Sequence, residues 1–162
     1  YLPMLTALRR GGRVRAVGVS HYLPSAYPQV LELMRSRRVD AVEIPYHPGE
    51  RTAEDEILPE ADRLGIGVIV MTPLATGRLL EQAPPDEMLA PLASAGVHSW
   101  PQALLKWALS DPRVSCAIPA TSRPEHMRAN AWAGQPPWLS MPQRRLIEDL
   151  VGAWFPPPGP AS

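Results

Sequence analysis

Short apolar runs rich in β-branched residues alternate with helical patterns along the chain after Gly12. The predicted strands cover residues 14–20, 40–46, 67–71 and 114–118. Strands that alternate with helices are typical of βαβ units, in which successive strands lie parallel and are buried on both faces. The sequence therefore predicts an α/β fold with four parallel strands and flanking helices.

The stretches between these strands carry apolar residues at the spacing of one helix face, as Ile57, Leu58, Ala61 and Leu64 do. Residues 83–97 are proline-marked and are predicted to be irregular. The longer predicted helices cover residues 1–10, 25–37, 52–64, a segment that begins after Ser99, residues 124–133 and residues 140–153. A glycine-bearing loop and a short helix are predicted between residues 71 and 83.

The two ends of the chain differ from the middle. The proline-rich residues 155–162 are predicted to be a disordered tail, and residues 1–154 are predicted to form one domain. The chain begins at Tyr1, inside a helix-like run that ends at Gly11 and Gly12. We therefore expect the sequence to be a fragment whose start lies upstream.

Charge and composition argue against several kinds of partner. The 16 Lys and Arg residues balance the 16 Asp and Glu residues, and no segment concentrates positive charge, so nucleic acid is not an expected partner. No apolar run approaches the ~20 residues of a membrane span, so we expect no membrane partner. The single cysteine, Cys116, has apolar neighbours and is predicted to be a buried core thiol, which fits a cytoplasmic protein. No metal site is predicted.

Four segments carry the most specific signal, and each contains or follows a predicted strand. They read G-R-V-R-A-V-G-V-S-H at residues 12–21, V-E-I-P-Y-H-P at 42–48, V-M-T-P-L-A-T-G-R-L at 70–79, and A-I-P-A-T-S-R-P-E-H-M-R-A-N at 117–130. In order and spacing they resemble the motifs of the fifth to eighth barrel strands of aldo-keto reductases. The chain is thus similar to the C-terminal half of that family's (β/α)8 TIM barrel, without the N-terminal half.

The resemblance implies an NAD(P)H-dependent oxidoreductase. Such an enzyme reduces the carbonyl group of a small aldehyde or ketone to an alcohol by hydride transfer. NADP is the cofactor that the resemblance favours, with NAD as the alternative. Barrels of this kind place their ligand sites at the C-terminal ends of the strands, which is where the four segments fall.

Four residues match positions that hold the nicotinamide in the family. Ser20 and His21 would bind its carboxamide, Glu43 would accept a hydrogen bond from the same group, and Met71 would pack on the ring face. At the last three of these positions the family usually has Asn, Gln and an aromatic residue. The plainer interpretations are a simple turn at Ser20 and His21, a salt-bridged Glu43, and a Met71 that fills the core.

The other matched positions belong to the phosphates and the adenosine. Along the pyrophosphate the resemblance places Thr72, Pro73, Leu74, Thr76 and Gly77. The adenine ribose and its phosphate would lie at the start of a helix, where free N–H groups favour an anion. The residues matched there are Thr121, Ser122, Arg123, His126 and Asn130.

Positive charge at this helix start departs from the family pattern. Ala120 and His126 stand where better-known members have the Lys and Arg that grip the 2'-phosphate. Arg123 and Arg128 supply charge nearby, and two solvated surface arginines are the plainer interpretation. The preference for NADP is therefore implied by the family rather than by these residues.

The family's chemistry needs a proton donor at the carbonyl oxygen, a Tyr tuned by a Lys and an Asp with a His nearby, all on the first four strands. Tyr22, Tyr27 and Tyr46 have no lysine neighbour in sequence, and the only lysine, Lys106, falls in a predicted peripheral helix. We therefore predict no catalytic residue in this chain, and no activity for the chain alone.

Other interpretations stay open. The residues His21, Glu43, Met71 and Ala120 are also consistent with a non-catalytic relative, or a natural truncation, that binds a nucleotide or a protein partner without turnover. Another family of βα barrels is a third interpretation. Four strands would leave two unpaired edges and an open apolar inner surface, so we expect the isolated half-barrel to pair with a second half-barrel or to aggregate.

Overall fold

The computed structural model describes residues 1–155, and its centre is one parallel β-sheet. The strands are β1 (Gly18–Ser20), β2 (Ala41–Pro45), β3 (Gly67–Met71) and β4 (Cys116–Ala117). They lie in the order β1-β2-β3-β4, and each pairs in parallel with the next strand along the chain. The predicted α/β fold with four parallel strands is confirmed.

Helices connect and flank the strands throughout the described residues. The α-helices are α1 (Leu2–Arg10), α2 (Tyr27–Arg35), α3 (Ile57–Leu64), α4 (Asp86–Leu89), α5 (Trp100–Leu109), α6 (Pro124–Ala133) and α7 (Met141–Trp154). Short 3-10 turns lie at Pro24–Ala26, Thr52–Glu54, Ala75–Leu80 and Ala90–Ala95. All six of the longer predicted helices are present, and the short helix predicted after β3 is the 3-10 segment Ala75–Leu80. Helix α4 is a single turn inside the segment predicted to be irregular.

The two outer strands are shorter than predicted. The predictions at residues 14–20 and 114–118 reduce to the three residues of β1 and the two residues of β4. Both strands are edges of the sheet, so each has one neighbour to hydrogen-bond and only the paired residues hold strand geometry. The inner strand β3 begins and ends where the sequence predicts.

The two faces of the sheet differ in burial. Val42 and Ile44 of β2, and Val68 and Val70 of β3, are fully buried because they face the helices. The residues between them, such as Glu43, are only half-buried. Side chains alternate across a strand with a period of two, so the helices cover one face and leave the other open. The sequence predicts strands that are buried on both faces. In the structure of residues 1–155, the helices bury one face only.

Helix α5 is the most deeply buried helix and forms the centre of the helical layer. Seven of its ten residues are buried, because the sheet, α6 and α7 surround it. The indole Nε1 of Trp100 donates to the carbonyl oxygen of Leu79 at 2.7 Å, so its polar atom is satisfied inside the core. Ser99 precedes α5 as predicted, but its side chain makes no capping hydrogen bond.

Lys106 lies in α5 and corrects the prediction that it belongs to a peripheral helix. It is 2% exposed. Its Nζ donates to the carbonyl oxygens of Ala95, Gln135 and Pro137 at 2.7, 2.7 and 3.0 Å. Three acceptors offset the cost of burying the ammonium group, although burial still lowers the pKa of Lys106. Lys106 thus ties two connecting segments to the core.

Helix α7 is held against the sheet by buried polar contacts. Arg144 donates to the hydroxyl of Tyr46 at 2.7 Å, and that hydroxyl donates to Glu54 at 2.6 Å. The Arg144 guanidinium also lies 4.5 Å from the centre of the Trp107 ring. Ser140 begins the helix as predicted, and its backbone N–H donates to the side chain of Gln143 at 3.0 Å.

Cys116 is exposed, which corrects the prediction of a buried core thiol. It lies on the edge strand β4 and pairs with Ile69 on the open face of the sheet, so no helix covers it. The predicted tail lies outside the described residues except for Phe155, which follows α7. None of the helices within residues 1–155 is long and apolar enough to cross a bilayer.

Candidate functional site at the C-terminal ends of the strands

Three of the residues that match the family's nicotinamide-binding positions lie on neighbouring strands. Ser20 ends β1 and pairs with Glu43 of β2, and Met71 ends β3. Glu43 pairs in turn with Ile69, so Met71 lies one same-face position further toward the strand end. Because paired residues in adjacent parallel strands lie about 4.8 Å apart and point to the same face, the fold brings Ser20, Glu43 and Met71 together on the open face.

His21 continues the pairing beyond β1 and is fixed by its own loop. Its backbone N–H donates to the carbonyl oxygen of Glu43 at 3.0 Å. Its Nδ1 accepts the backbone N–H of Leu23 at 3.1 Å, and its ring stacks on Tyr22 with ring centres 5.7 Å apart. With Nδ1 occupied as an acceptor, the neutral ring carries its proton on Nε2. His21 therefore offers one N–H donor where the family's Asn offers a donor and an acceptor.

The carboxylate of Glu43 has no partner among residues 1–155. Neither an ion pair nor a side-chain hydrogen bond joins it to this part of the chain. The plainer interpretation, a salt-bridged glutamate, therefore finds no support within the described residues. A half-buried acceptor without a partner, beside the hydroxyl of Ser20, is what a ligand N–H group would bind.

The loop after β3 has an unusual backbone. Thr72, Ala75 and Thr76 have φ angles of 46°, 51° and 55°, and Gly77 has a φ of 96°. Left-handed conformations of non-glycine residues cost on the order of 1–3 kcal/mol each and cluster at functional sites. Backbone hydrogen bonds from Ala75 to Thr72 at 2.8 Å and from Gly77 to Leu74 at 3.0 Å hold this shape. The loop matched to the pyrophosphate is therefore rigid and strained.

A cavity of about 350 Å³ opens between this loop and the loops after β1 and β2. Its polar lining residues are Tyr22, His47, Glu50, Thr72, Thr76 and Arg78. His47 is 7% exposed, and its Nδ1 accepts the backbone N–H of Gly49 at 3.2 Å. Burial lowers the pKa of His47 to about 4, against the attraction of Glu50 and with help from Arg78. At neutral pH His47 is thus an uncharged N–H donor.

Sequence reasoning did not single out His47 or Arg78. Both residues lie inside segments that match family motifs, at residues 42–48 and 70–79, so those motifs could have pointed to them. Neither residue has a matched cofactor role, and only the folded loops bring them together. Of the pyrophosphate-matched residues, Thr72 and Thr76 share this cavity with them.

The segment matched to the adenosine phosphate lies at the start of α6. Thr121 accepts the backbone N–H of Arg123 at 3.2 Å, which orders the turn before the helix. Ser122, Arg123 and His126 are exposed, so they are open to an anion and to solvent alike. Asn130 is half-buried and also lines a groove beside β4. Because residues four apart lie on one face of a helix, Asn130 follows His126 by one turn along α6.

Within residues 1–155, no tyrosine is hydrogen-bonded to Lys106, the only lysine. Tyr22 is exposed, while Tyr27 is buried with its hydroxyl unpaired, and burial raises the pKa of Tyr27 to about 12. Tyr46 is bound to Glu54 and its pKa is also raised by burial. Within residues 1–155, no group of three His, Cys, Asp or Glu side chains could hold a metal ion.

Comparison with models of known protein families identifies the family of this chain. The model of the Aldo/keto reductase family matches residues 1–143, which is most of the chain. The chain belongs to the aldo/keto reductase family. The resemblance of the four segments is therefore confirmed.

Relatives of this aldo/keto reductase chain include two curated proteins. L-galactose dehydrogenase of Arabidopsis thaliana is 33% identical over 87 residues, which make up 52% of this chain and 27% of that protein. Methylglyoxal reductase YeaE of Escherichia coli (strain K12) is 29% identical over 121 residues, or 74% of this chain and 42% of that protein. The chain thus spans less than half the length of either relative.

Solved structures extend the likeness to the fold. An aldo/keto reductase of Klebsiella pneumoniae, crystallised with NADP and acetate, superposes with a TM-score of 0.73 at 24% identity. The superposition covers 99% of this chain and 55% of that one. The four parallel strands are thus about half of a (β/α)8 barrel, as the sequence predicts.

Proposed function

We propose that this chain is the cofactor-binding half, residues 1–154, of an NAD(P)H-dependent aldo/keto reductase in the cytoplasm. The complete enzyme reduces small aldehydes or ketones to alcohols by hydride transfer. The observation that carries the proposal is the meeting of Ser20, Glu43 and Met71 on one open face at the strand ends. These residues come from three separate family segments.

The geometry at the strand ends fits a nicotinamide carboxamide. That group has an N–H side and a carbonyl side. The unpaired carboxylate of Glu43 accepts from the first, while the hydroxyl of Ser20 and the Nε2–H of His21 donate to the second. The polarisable thioether of Met71 packs on the ring face. The bound cofactor supplies the hydride, and these residues orient it.

Donors further along suit the phosphates. The strained loop of Thr72, Pro73, Leu74, Thr76 and Gly77 lies along the pyrophosphate, to which the hydroxyls of Thr72 and Thr76 donate. The start of α6 presents Thr121, Ser122, Arg123, His126 and Asn130 toward the adenosine end. Exposed Arg123 and Arg128 supply positive charge near the adenosine end, and membership of the family favours NADP over NAD. The NADP-bound relative from Klebsiella supports the same choice.

Within residues 1–155, no tyrosine is placed to give a proton to the carbonyl oxygen of a substrate. The ammonium group of Lys106 is bound to three backbone carbonyls, and Tyr46 is bound to Glu54 and Arg144. No tyrosine is therefore tuned by a lysine here. We propose that the isolated chain binds the cofactor without reducing a carbonyl.

Titration with NADPH, followed by the fluorescence of the five tryptophans, tests this proposal. We expect saturable binding of NADPH that is tighter than that of NADH. Ser20→Ala should raise the Kd about fivefold, which corresponds to the ~1 kcal/mol of one hydrogen bond. Ser36→Ala is the matched control, since Ser36 follows α2 at the opposite end of the sheet. No saturable signal from a chain with native circular dichroism would refute cofactor binding.

A second candidate function is a nucleotide-binding relative without turnover. The single donor of His21 and the carboxylate at Glu43 favour it, because both depart from the family's amide side chains. NADPH consumption with simple aldehydes, measured on the longest natural protein that contains this sequence, separates the two. Steady consumption supports the reductase, and binding without consumption supports the second candidate.

A further inference from the structure

The cavity between the three loops brings together two residues that have no role in the cofactor site proposed above. His47 lies on the loop after β2, and Arg78 lies on the loop after β3. Strands β2 and β3 are the inner strands, and each pairs with a neighbour on both sides. The arrangement of His47 and Arg78 therefore does not depend on an edge of the sheet.

His47 brings a free donor to this cavity. The residue is 7% exposed, and backbone hydrogen bonds with Glu50 at 3.3 and 2.8 Å fix the turn that holds it. Its Nδ1 accepts the N–H of Gly49 at 3.2 Å, so the proton of the neutral ring lies on Nε2. Within residues 1–155 this Nε2–H has no acceptor. Because buried donors are normally paired, the Nε2–H is available to an acceptor atom that enters the cavity.

Two further donors line the cavity. Arg78 is exposed and forms no ion pair in the part of the chain that the structure describes, and the hydroxyl of Thr72 forms no hydrogen bond there. A guanidinium group, a hydroxyl and an imidazole N–H together suit a ligand that is rich in acceptor oxygens. A phosphate group has such oxygens, and its negative charge attracts a guanidinium group.

Glu50 is the lining residue that opposes an anion. One of its carboxylate oxygens accepts the backbone N–H of Thr52 at 3.0 Å, which ties the side chain to its own turn. Its negative charge is balanced by the positive charge of Arg78 in the same lining. The free donors of His47, Thr72 and Arg78 therefore favour a ligand that accepts hydrogen bonds.

We propose that this cavity binds a phosphate group, with Arg78 and the Nε2–H of His47 as its principal donors. One source of the phosphate is the pyrophosphate of the cofactor, and for that source the inference rests on the function proposed above. Thr72 supports this source, because the loop matched to the pyrophosphate forms one wall of the cavity. The other source is a free phosphate or the phosphate ester of a different ligand.

Calorimetric titration with inorganic pyrophosphate tests the site in the longest natural protein that contains this sequence. We expect saturable binding of pyrophosphate and no binding of sorbitol, a neutral polyol. Arg78→Gln removes a charge-assisted hydrogen bond and should raise the Kd of pyrophosphate about tenfold. Arg37→Gln is the matched control and should leave the Kd unchanged, since Arg37 is exposed and lies between α2 and β2, at the opposite end of the sheet.

A pair of substitutions at His47 separates the loss of a donor from the loss of the fold. His47→Phe keeps a ring but removes the N–H, and should raise the Kd about fivefold. His47→Gln supplies a donor and can still accept the N–H of Gly49, so it should bind pyrophosphate nearly as well as the natural protein. Circular dichroism confirms the fold of each variant, and exposed Arg78 decides the question if His47→Phe does not fold.

Titration with NADPH identifies the source of the phosphate. If the cofactor provides it, saturating NADPH displaces pyrophosphate, and Arg78→Gln weakens NADPH and NADH by the same factor, because both contain the pyrophosphate. If another ligand provides it, pyrophosphate binds the NADPH-saturated protein with an unchanged Kd. Either result supports a phosphate site in the cavity.

Three results would overturn the proposal. The first is a folded protein that binds no pyrophosphate, or that binds sorbitol as tightly. The second is equal weakening by Arg78→Gln and Arg37→Gln, because the attraction would then be unspecific. The third is binding that neither Arg78→Gln nor His47→Phe changes, because pyrophosphate would then lie elsewhere. A protein that binds pyrophosphate in the cavity but does not bind NADPH would refute the cofactor proposal and leave the phosphate site in place.

Discussion

The centre and the edges of the sheet are built to different degrees. Val42, Ile44, Val68 and Val70 of the inner strands are fully buried in the core between the sheet and the helices. At the β4 edge, α6 buries only Ala133, and at the β1 edge, α1 buries no residue. The inner strands have neighbours on both sides, and the outer ones have one. The centre therefore accounts for the stability of the chain, while the edges mark where a barrel continues.

The largest expected effect contrasts one isoleucine in the centre with one at the edge. Ile44→Ala should lower the free energy of unfolding by about 4 kcal/mol, because its side chain is fully buried. Ile118→Ala removes the same atoms at a site that is 49% exposed and should cost less than about 1 kcal/mol. Urea denaturation of both variants measures the difference. Equal costs would mean that the edge is as well packed as the centre.

A smaller effect is expected in the pH dependence of the free energy of unfolding. It comes from His47, which lies in the loop after β2. The pKa of His47 is about 4 in the folded chain and about 6.5 when unfolded, so the unfolded state binds more protons between these values. Stability is therefore full above pH 6.5 and falls as the pH drops toward 4, by on the order of 3 kcal/mol.

His47→Gln isolates this contribution, since the amide oxygen can still accept the N–H of Gly49. The variant should lose the part of the pH slope that lies between 6.5 and 4, while carboxylate contributions at lower pH remain. Urea denaturation at several pH values measures both slopes. An unchanged slope in the variant would contradict a neutral, buried His47.

The smallest effect belongs to the β1 edge. Asp40→Asn weakens the ion pair with Arg9, which is partly exposed, and should cost less than about 1 kcal/mol. The pKa of Asp40 is lowered by the backbone N–H of Val17 and by Arg9, so the same contact should loosen below the usual range of a carboxyl group. Hydrogen exchange should quicken in α1 and stay unchanged in α5. Faster exchange in α5 would show that the edge supports the centre.

Local patterns explain why the centre was predictable from sequence. Strand β3 has the predicted limits, because a run of β-branched residues between Gly65 and Pro73 defines it without reference to other elements. The stripe of Val30, Leu31 and Met34 on α2 is buried as its spacing indicates. The spacing of apolar residues along such a helix or strand is enough to assign its buried face.

The edges and the polar contacts were not predictable in this way. Cys116 has apolar neighbours in sequence, but its exposure depends on whether another strand lies beside β4. Lys106 is charged and looked peripheral, yet its acceptors at Ala95, Gln135 and Pro137 are 11 to 31 positions away. The exposure of Cys116 and the burial of Lys106 depend on which elements pack together in the fold. The spacing of residues within one segment does not show this.

The candidate site shows the same division. Family motifs identified Ser20, Glu43 and Met71, and the strand register places them together. The cavity lined by His47 and Arg78 forms only where three loops meet, so no sequence pattern groups these two residues. The positive φ angles at Thr72 and Thr76 were equally hidden, because threonine seldom adopts that conformation.

Hydrogen–deuterium exchange with and without NADPH tests the central claim most directly, because it locates binding along the backbone. The proposed site predicts slower exchange at residues 20–23, 71–78 and 121–126, with no change in α1 or α3. Protection that is absent at saturating NADPH, or that falls on α1 and α3 instead, would contradict the assignment of a cofactor to these strand ends.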